Sequence, residues 1–156
     1  EPTLPYLVQP VKKLNGLVSL ESQLTKNLFL RSRILVSQVK IEAKPTYGFM
    51  MLQDVQYGKN HWRLTGRVAL FDADTYDNRL YAFENNVLWT FSIPAFSGRG
   101  MRYYLLGQYQ FTPKLTAYLR FSRTSYTDRE VISSGLQTIN GPNQTDTALM
   151  IRYFLR

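Results

Sequence analysis

A chain of 156 residues with 19 Lys plus Arg against 11 Asp plus Glu has a formal net charge of +8. That balance favours anionic surroundings without choosing among nucleic acid, anionic lipid and acidic solutes. The absence of cysteine excludes disulfides and thiolate metal sites but leaves the compartment open.

The length fits one domain, and no apolar run reaches the ~18 residues of a membrane helix. The opening stretch EPTLPYLVQP has neither the basic start nor the apolar core of a signal peptide. Residues 1–13, with three prolines and a VKK, read as an extended lead-in, and 14–156 as one β unit. From there on the hydrophobic pattern has period two, and a 3.6 period is hard to find. The expectation is an all-β, antiparallel fold of eight strands, at 15–25, 28–40, 46–57, 60–71, 81–93, 100–111, 114–126 and 145–156. Turn residues separate them at TKN (25–27), YGKN (57–60), DADTYDN (72–78), PAFSGRG (94–100) and TPK (112–114). The segment 127–145, with Gly135, Gly141 and Pro142, reads as a long surface loop. An even strand count puts both termini on one side, opposite that loop.

The strands are two-faced. In KLTAYLRFSRTSY (114–126), Leu115, Ala117, Leu119 and Phe121 alternate with Thr116, Tyr118, Arg120 and Ser122. A greasy face on each strand suits a soluble barrel turned inward or a membrane barrel turned outward. Length leans to the membrane, because strands of about 10 to 13 residues exceed the ~5 to 6 of globular sheets and match the ~9 to 11 needed to cross a bilayer with tilt. Aromatic content, 14% of the chain, agrees with interfacial girdles, to which Trp62, Tyr81, Phe83, Tyr109, Phe111 and Tyr153 are assigned. The fold expected is therefore a transmembrane β-barrel of about eight strands, either closed alone or the C-terminal part of a larger, porin-like one. Leu115, Leu119 and Phe121 are assigned to lipid, and Thr116, Tyr118 and Arg120 to the lumen. The alternative is a soluble lipocalin-like β-barrel binding an apolar ligand, since binary pattern is symmetric under turning inside out.

By the same alternation the lumen collects a basic wall of Arg31, Arg33, Arg63, Arg67, Arg102, Arg120 and Arg152, with Glu21, Asp54 and Glu84 as acidic partners. Such a wall either favours anions or fills a small barrel as a salt-bridged plug. Nucleic-acid binding is not expected, because the aromatics sit mainly on the face opposite the arginines and a stacking platform needs both together. Catalysis is not expected either: the single histidine, His61, stands at a strand end as an ordinary interfacial residue. Asp72, Asp74 and Asp77 read as a solvated turn and not as a metal site. No cofactor is implied.

The run RLTGRVALFDADTYDNRLYAFENNVLWTFSIPAFSGRGMRYYLLGQYQF, followed by YLRFSRTSYTDREVISSGL, resembles the C-terminal barrel portion of outer-membrane proteins of the Bacteroidota, in particular helix-hairpin-helix-containing ones, over residues 46–156. No helix-hairpin-helix segment is present, and TDTALMIRYFLR ends on Arg156 where a terminal aromatic is usual. The resemblance implies a Gram-negative outer-membrane location and a structural, transport or partner-binding role. Its partners would be outer-membrane lipid and lipopolysaccharide, together with other outer-membrane subunits or further strands of the same barrel.

Overall fold

The computed structural model describes residues 11–41, 44–133 and 135–155; most of the lead-in, and Arg156, lie outside them. The fold is all-β. Seven long strands form one antiparallel sheet: β1 (Val11–Thr25), β2 (Leu28–Ile41), β3 (Lys44–Lys59), β4 (Trp62–Ala73), β7 (Gly98–Gln110), β8 (Leu115–Tyr126) and β11 (Asn143–Tyr153). They pair in the order β1-β2-β3-β4-β7-β8-β11, so each long strand lies beside the next one along the chain. Short pairs decorate this meander: β5 (Leu80–Tyr81) with β6 (Ala95–Phe96), and β9 (Val131–Ile132) with β10 (Ile139–Asn140). The edges β1 and β11 have no partner strand among the described residues.

Of the eight expected strands, 81–93 does not join the sheet. Apart from Tyr81 in β5 and an isolated bridge between Glu84 and Ser92, it is irregular. Asn85 breaks the apolar side of its alternation, Asn85 and Asn86 are both residues that strands disfavour, and Trp89 takes a left-handed φ of 62°. The whole connection 74–97 folds back against one face of the sheet instead. Leu80, Ala82 and Phe96 pack there on Met50, Leu52, Ala69 and Phe71, forming the buried apolar cluster. Phe71 meets Phe96 and Tyr126 edge-on, with ring centroids 5.2 and 5.7 Å apart.

An odd number of strands corrects the expected polarity as well. β1 enters and β11 leaves at opposite ends of the sheet. The long connections 74–97 and 127–142 share one end, while the tight connections 26–27, 60–61 and 111–114 share the other. Asn60, with φ of 54°, supplies the left-handed residue that the two-residue turn at 60–61 needs. DADTYDN therefore lies at the same end as the 127–142 connection.

Alternation has the expected phase. Ile34, Phe49, Met51, Val55, Val68, Leu70, Leu105, Leu119, Leu149 and Ile151 are exposed on one face, whereas Met50, Leu52, Asp54, Arg67, Tyr104, Tyr118 and Arg120 are buried on the other. The face the chain covers is the charged one. Part of that cover rests on Gly48, where an added Cβ would sit 2.6 Å from the carbonyl oxygen of Asn78. Asn78 is itself buried and accepts a 3.1 Å hydrogen bond from Ser37 Oγ. Gly48→Ala should therefore push the 74–97 segment off the sheet and destabilise the fold by about 1–3 kcal/mol. Chemical denaturation of the folded chain checks this, and an unchanged midpoint would mean that the segment does not bear on Gly48.

Candidate functional site

Antiparallel pairing places one residue from every long strand directly opposite its neighbour in a single row. Glu21 faces Arg31, Arg31 faces Asp54, Asp54 faces Arg67, Arg67 faces Tyr104, Tyr104 faces Ser122, and Ser122 faces Asp146. Directly opposite side chains on one face lie close enough to interact, and opposite charges there stabilise the pairing. The row alternates in sign over its first four members.

Asp54 is the hub of one half. Its Oδ2 accepts from Arg31 Nε and from an Arg33 terminal nitrogen, each at 3.0 Å, and its Oδ1 accepts from Arg67 Nε. Three guanidinium groups thus converge on one buried carboxylate, while Glu21 reaches Arg31 only at 3.8 Å from an exposed position. The Arg33 Nε is buried without an acceptor among the described residues.

Glu84 is the hub of the other half, and it comes from the in-folded segment, not from a strand. Its side chain is fully buried. Arg102 holds it by a two-pronged pair, Nε to Oε1 at 2.8 Å and a terminal nitrogen to Oε2 at 3.0 Å; Arg120 adds a bond to Oε2 at 2.6 Å. The two arginines are aimed by hydroxyls: Arg102 also donates to Thr124 Oγ1 at 2.7 Å, and Arg120 to Ser122 Oγ at 3.1 Å. Backbone groups on both sides of Glu84 are captured too. Arg67 donates to the Phe83 carbonyl at 2.6 Å and Arg120 to the Asn85 carbonyl at 3.2 Å. The Asn85 amide donates to Tyr104 Oη at 3.3 Å. The Tyr104 ring lies between the halves, 5.6 Å from the Arg67 guanidinium and 5.2 Å from that of Arg120.

Arg31, Arg33, Arg67, Arg102 and Arg120 are thus brought together around Asp54 and Glu84. Two of the seven arginines grouped by alternation stand apart. Arg63 is exposed near the 60–61 turn, and Arg152, on β11, lies over the rings of Tyr118 and Phe154 at 6.0 and 4.6 Å. Among the girdle candidates, Trp62, Tyr109 and Phe111 cluster at the tight-turn end, with centroids 4.4 Å apart for Trp62 and Tyr109 and 4.7 Å for Tyr109 and Phe111; Tyr153, also exposed, ends β11 at that same end. Tyr81 and Phe83 do not belong with them, because they lie on the in-folded segment, where Tyr81 Oη accepts from Arg79. His61 packs edge-on at 6.4 Å from Tyr109. Asp72 pairs with Arg99 at 2.8 Å, and Asp74 accepts from the Tyr47 amide at 2.8 Å. No group of three metal-ligating side chains occurs among the described residues.

Alternation places Tyr104 and Ser122 on the arginine face, but which charge each meets, and the roles of Thr124 and Asp146, follow from strand register. Asp146 lies 4.0 Å from Arg102 and is half-exposed. Comparison with protein-family models, curated proteins and solved structures found no match to the chain.

Removing one partner of a buried ion pair strands the other charge, at roughly 3–5 kcal/mol, whereas an exposed pair is worth about 0–1 kcal/mol. Asp54→Asn should accordingly destabilise the chain far more than Glu21→Gln. Parallel unfolding curves test the contrast, and two equally mild variants would contradict the hub assigned to Asp54.

Proposed function

We propose that this chain is a section of the wall of a transmembrane β-barrel in a bacterial outer membrane, with a structural, transport or partner-binding role. The single observation that carries this reading is the division of the two faces: the chain covers its charged face with its own segment 74–97 and leaves the apolar face open across the sheet. Exposed apolar patches on soluble monomers rarely exceed a few hundred Å². An all-strand apolar face calls for an apolar solvent, and lipid acyl chains, including those of lipopolysaccharide, supply one. Shallow grooves of about 730 Å³ beside Gly16 and about 320 Å³ beside Gly107, both on that face, have room for such chains.

Three further features support the reading. Strands of 11 to 16 residues are long enough to cross with tilt. Aromatic side chains gather where the tight turns are, as at an interface. Two long connections at one end and three tight turns at the other match the asymmetry of outer-membrane barrels, whose periplasmic turns are short. On this reading 74–97 narrows a basic interior from the outer side. The likeness of its sequence to Bacteroidota barrels is in keeping with it.

Because β1 and β11 run in the same direction, closing these seven strands on themselves would need a parallel pair. An all-antiparallel barrel needs an odd number of further strands, from the same polypeptide or from another subunit, and the two open edges are where they would join. A soluble lipocalin-like barrel would instead bury the apolar face and wet the charged one, the reverse of the cover seen here.

A charge at mid-depth on the lipid face costs roughly 2–4 kcal/mol, whereas the interior tolerates it. Leu119→Arg should sharply reduce folding into liposomes, measured as the fraction of chain that changes gel mobility on heating, and Gln56→Arg on the opposite face should not. Equal losses, or a wild-type chain that stays folded and monodisperse in detergent-free buffer, would sink the proposal.

A further inference from the structure

We infer that Arg102, Arg120, Ser122 and Thr124 form a receptor for a carboxylate, that Glu84 is its built-in occupant, and that a carboxylate-bearing solute takes the site when the 74–97 segment withdraws. The four receptor side chains all come from two adjacent strands, β7 and β8, and hydrogen-bond one another there, with Arg120 also donating to the Asn85 carbonyl of the segment. The acid comes from an irregular segment that makes no ladder with them. Receptor and occupant are thus separable parts of the molecule.

The chemistry of the receptor is specific. The planar fork of Arg102 matches both oxygens of a carboxylate, and Arg120 adds a charged hydrogen bond to one of them. Thr124 and Ser122 accept from the remaining guanidinium nitrogens and so hold the forks in place whether or not the acid is present. Without Glu84 the two cations would be left with Asp146 alone, at 4.0 Å from Arg102 and half-exposed. A cavity of about 170 Å³ is bordered by Arg102, Thr124 and Asp146 and, from the covering segment, by Phe96. Asp146 opposes any anion that arrives and so weakens the site.

Tethering explains why the occupant normally wins. An acid carried on the same chain competes at an effective concentration in the millimolar range or above, which a free monocarboxylate does not match. The segment that would have to withdraw presents Trp89 and Phe91 outward, 80% and 85% exposed, with nothing of the described chain packed over them.

Acetate is close to the fragment removed by Glu84→Ala, which makes it the direct probe. The site's chemistry does not depend on which face meets lipid, so this titration and the liposome assay fail independently. The chain, folded in detergent micelles, is unfolded by heat in rising potassium acetate and, separately, in potassium chloride at equal ionic strength. Glu84→Ala should show a midpoint that climbs by about 2–4 °C with acetate and saturates, beyond any effect of chloride. The wild-type chain should show no such climb. Glu84→Ala combined with Asp146→Asn should saturate at several-fold lower acetate, and Glu84→Ala combined with Arg102→Gln should not respond. Should Glu84→Ala not fold in chloride, the readout becomes refolding yield, which acetate should restore. No acetate-specific rise and no restored yield would overturn the proposal, as would a response that survives Arg102→Gln.

Discussion

The row from Glu21 to Asp146 is the constraint on which the rest of this structure depends. It takes one residue from each of seven strands and sets opposite charges across three successive interfaces. Side chains alternate with period two, so a slip of one residue in any strand would send its charges to the apolar face and its apolar residues into the row. Asp54 makes such a slip costly at the centre, because Arg31, Arg33 and Arg67 all depend on it. Register, and with it the identity of each face, follows from this one set of ion pairs more than from any turn.

The row also accounts for the in-folded segment. Asp54 balances the arginines of β2 and β4, but Arg102 and Arg120 on β7 and β8 have no buried acid from a long strand. A buried guanidinium without a counter-charge is expensive. Glu84 supplies the missing charge, and the apolar residues flanking it, Leu80, Ala82 and Phe96, settle on the apolar part of the same face formed by Met50, Leu52, Ala69 and Phe71. The segment is thus held by an ion pair at its centre and by packing near its ends. Nothing comparable among the described residues covers the opposite face, where Leu105, Leu119 and Leu149 are exposed. That contrast within one sheet is the basis for assigning lipid to the apolar side.

Much of this was legible in the sequence, because alternation is a local property. The phase of each long strand, and therefore the grouping of Arg31, Arg33, Asp54, Arg67, Arg102 and Arg120 on one face, can be read strand by strand. Register cannot: it is a relation between strands, so the alignment of Tyr104, Ser122 and Asp146 with the charges was hidden. The segment 81–93 misled because Tyr81, Phe83, Val87, Trp89, Phe91 and Ile93 alternate with Ala82, Glu84, Asn86, Thr90 and Ser92 over most of its length. The signal against it was present in Asn85 and Asn86, which favour turns, and in Pro94. Counting that segment as a strand made the total even, and from the even total came the wrong polarity of the ends. Glu84, grouped with the arginines by alternation, pairs with Arg102 and Arg120 from a connection and not from a long strand.

The chain contains no cysteine, so single cysteines can be placed along β8 and labelled without background. The most direct test of the central claim is quenching of an environment-sensitive fluorophore by brominated lipid, at 117, 119 and 121 and then at 116, 118 and 122, in liposomes. Strong quenching at the odd positions and weak quenching at the even ones is the expected result. Uniform weak quenching, or alternation of the opposite phase, would contradict the assignment of the apolar face to lipid.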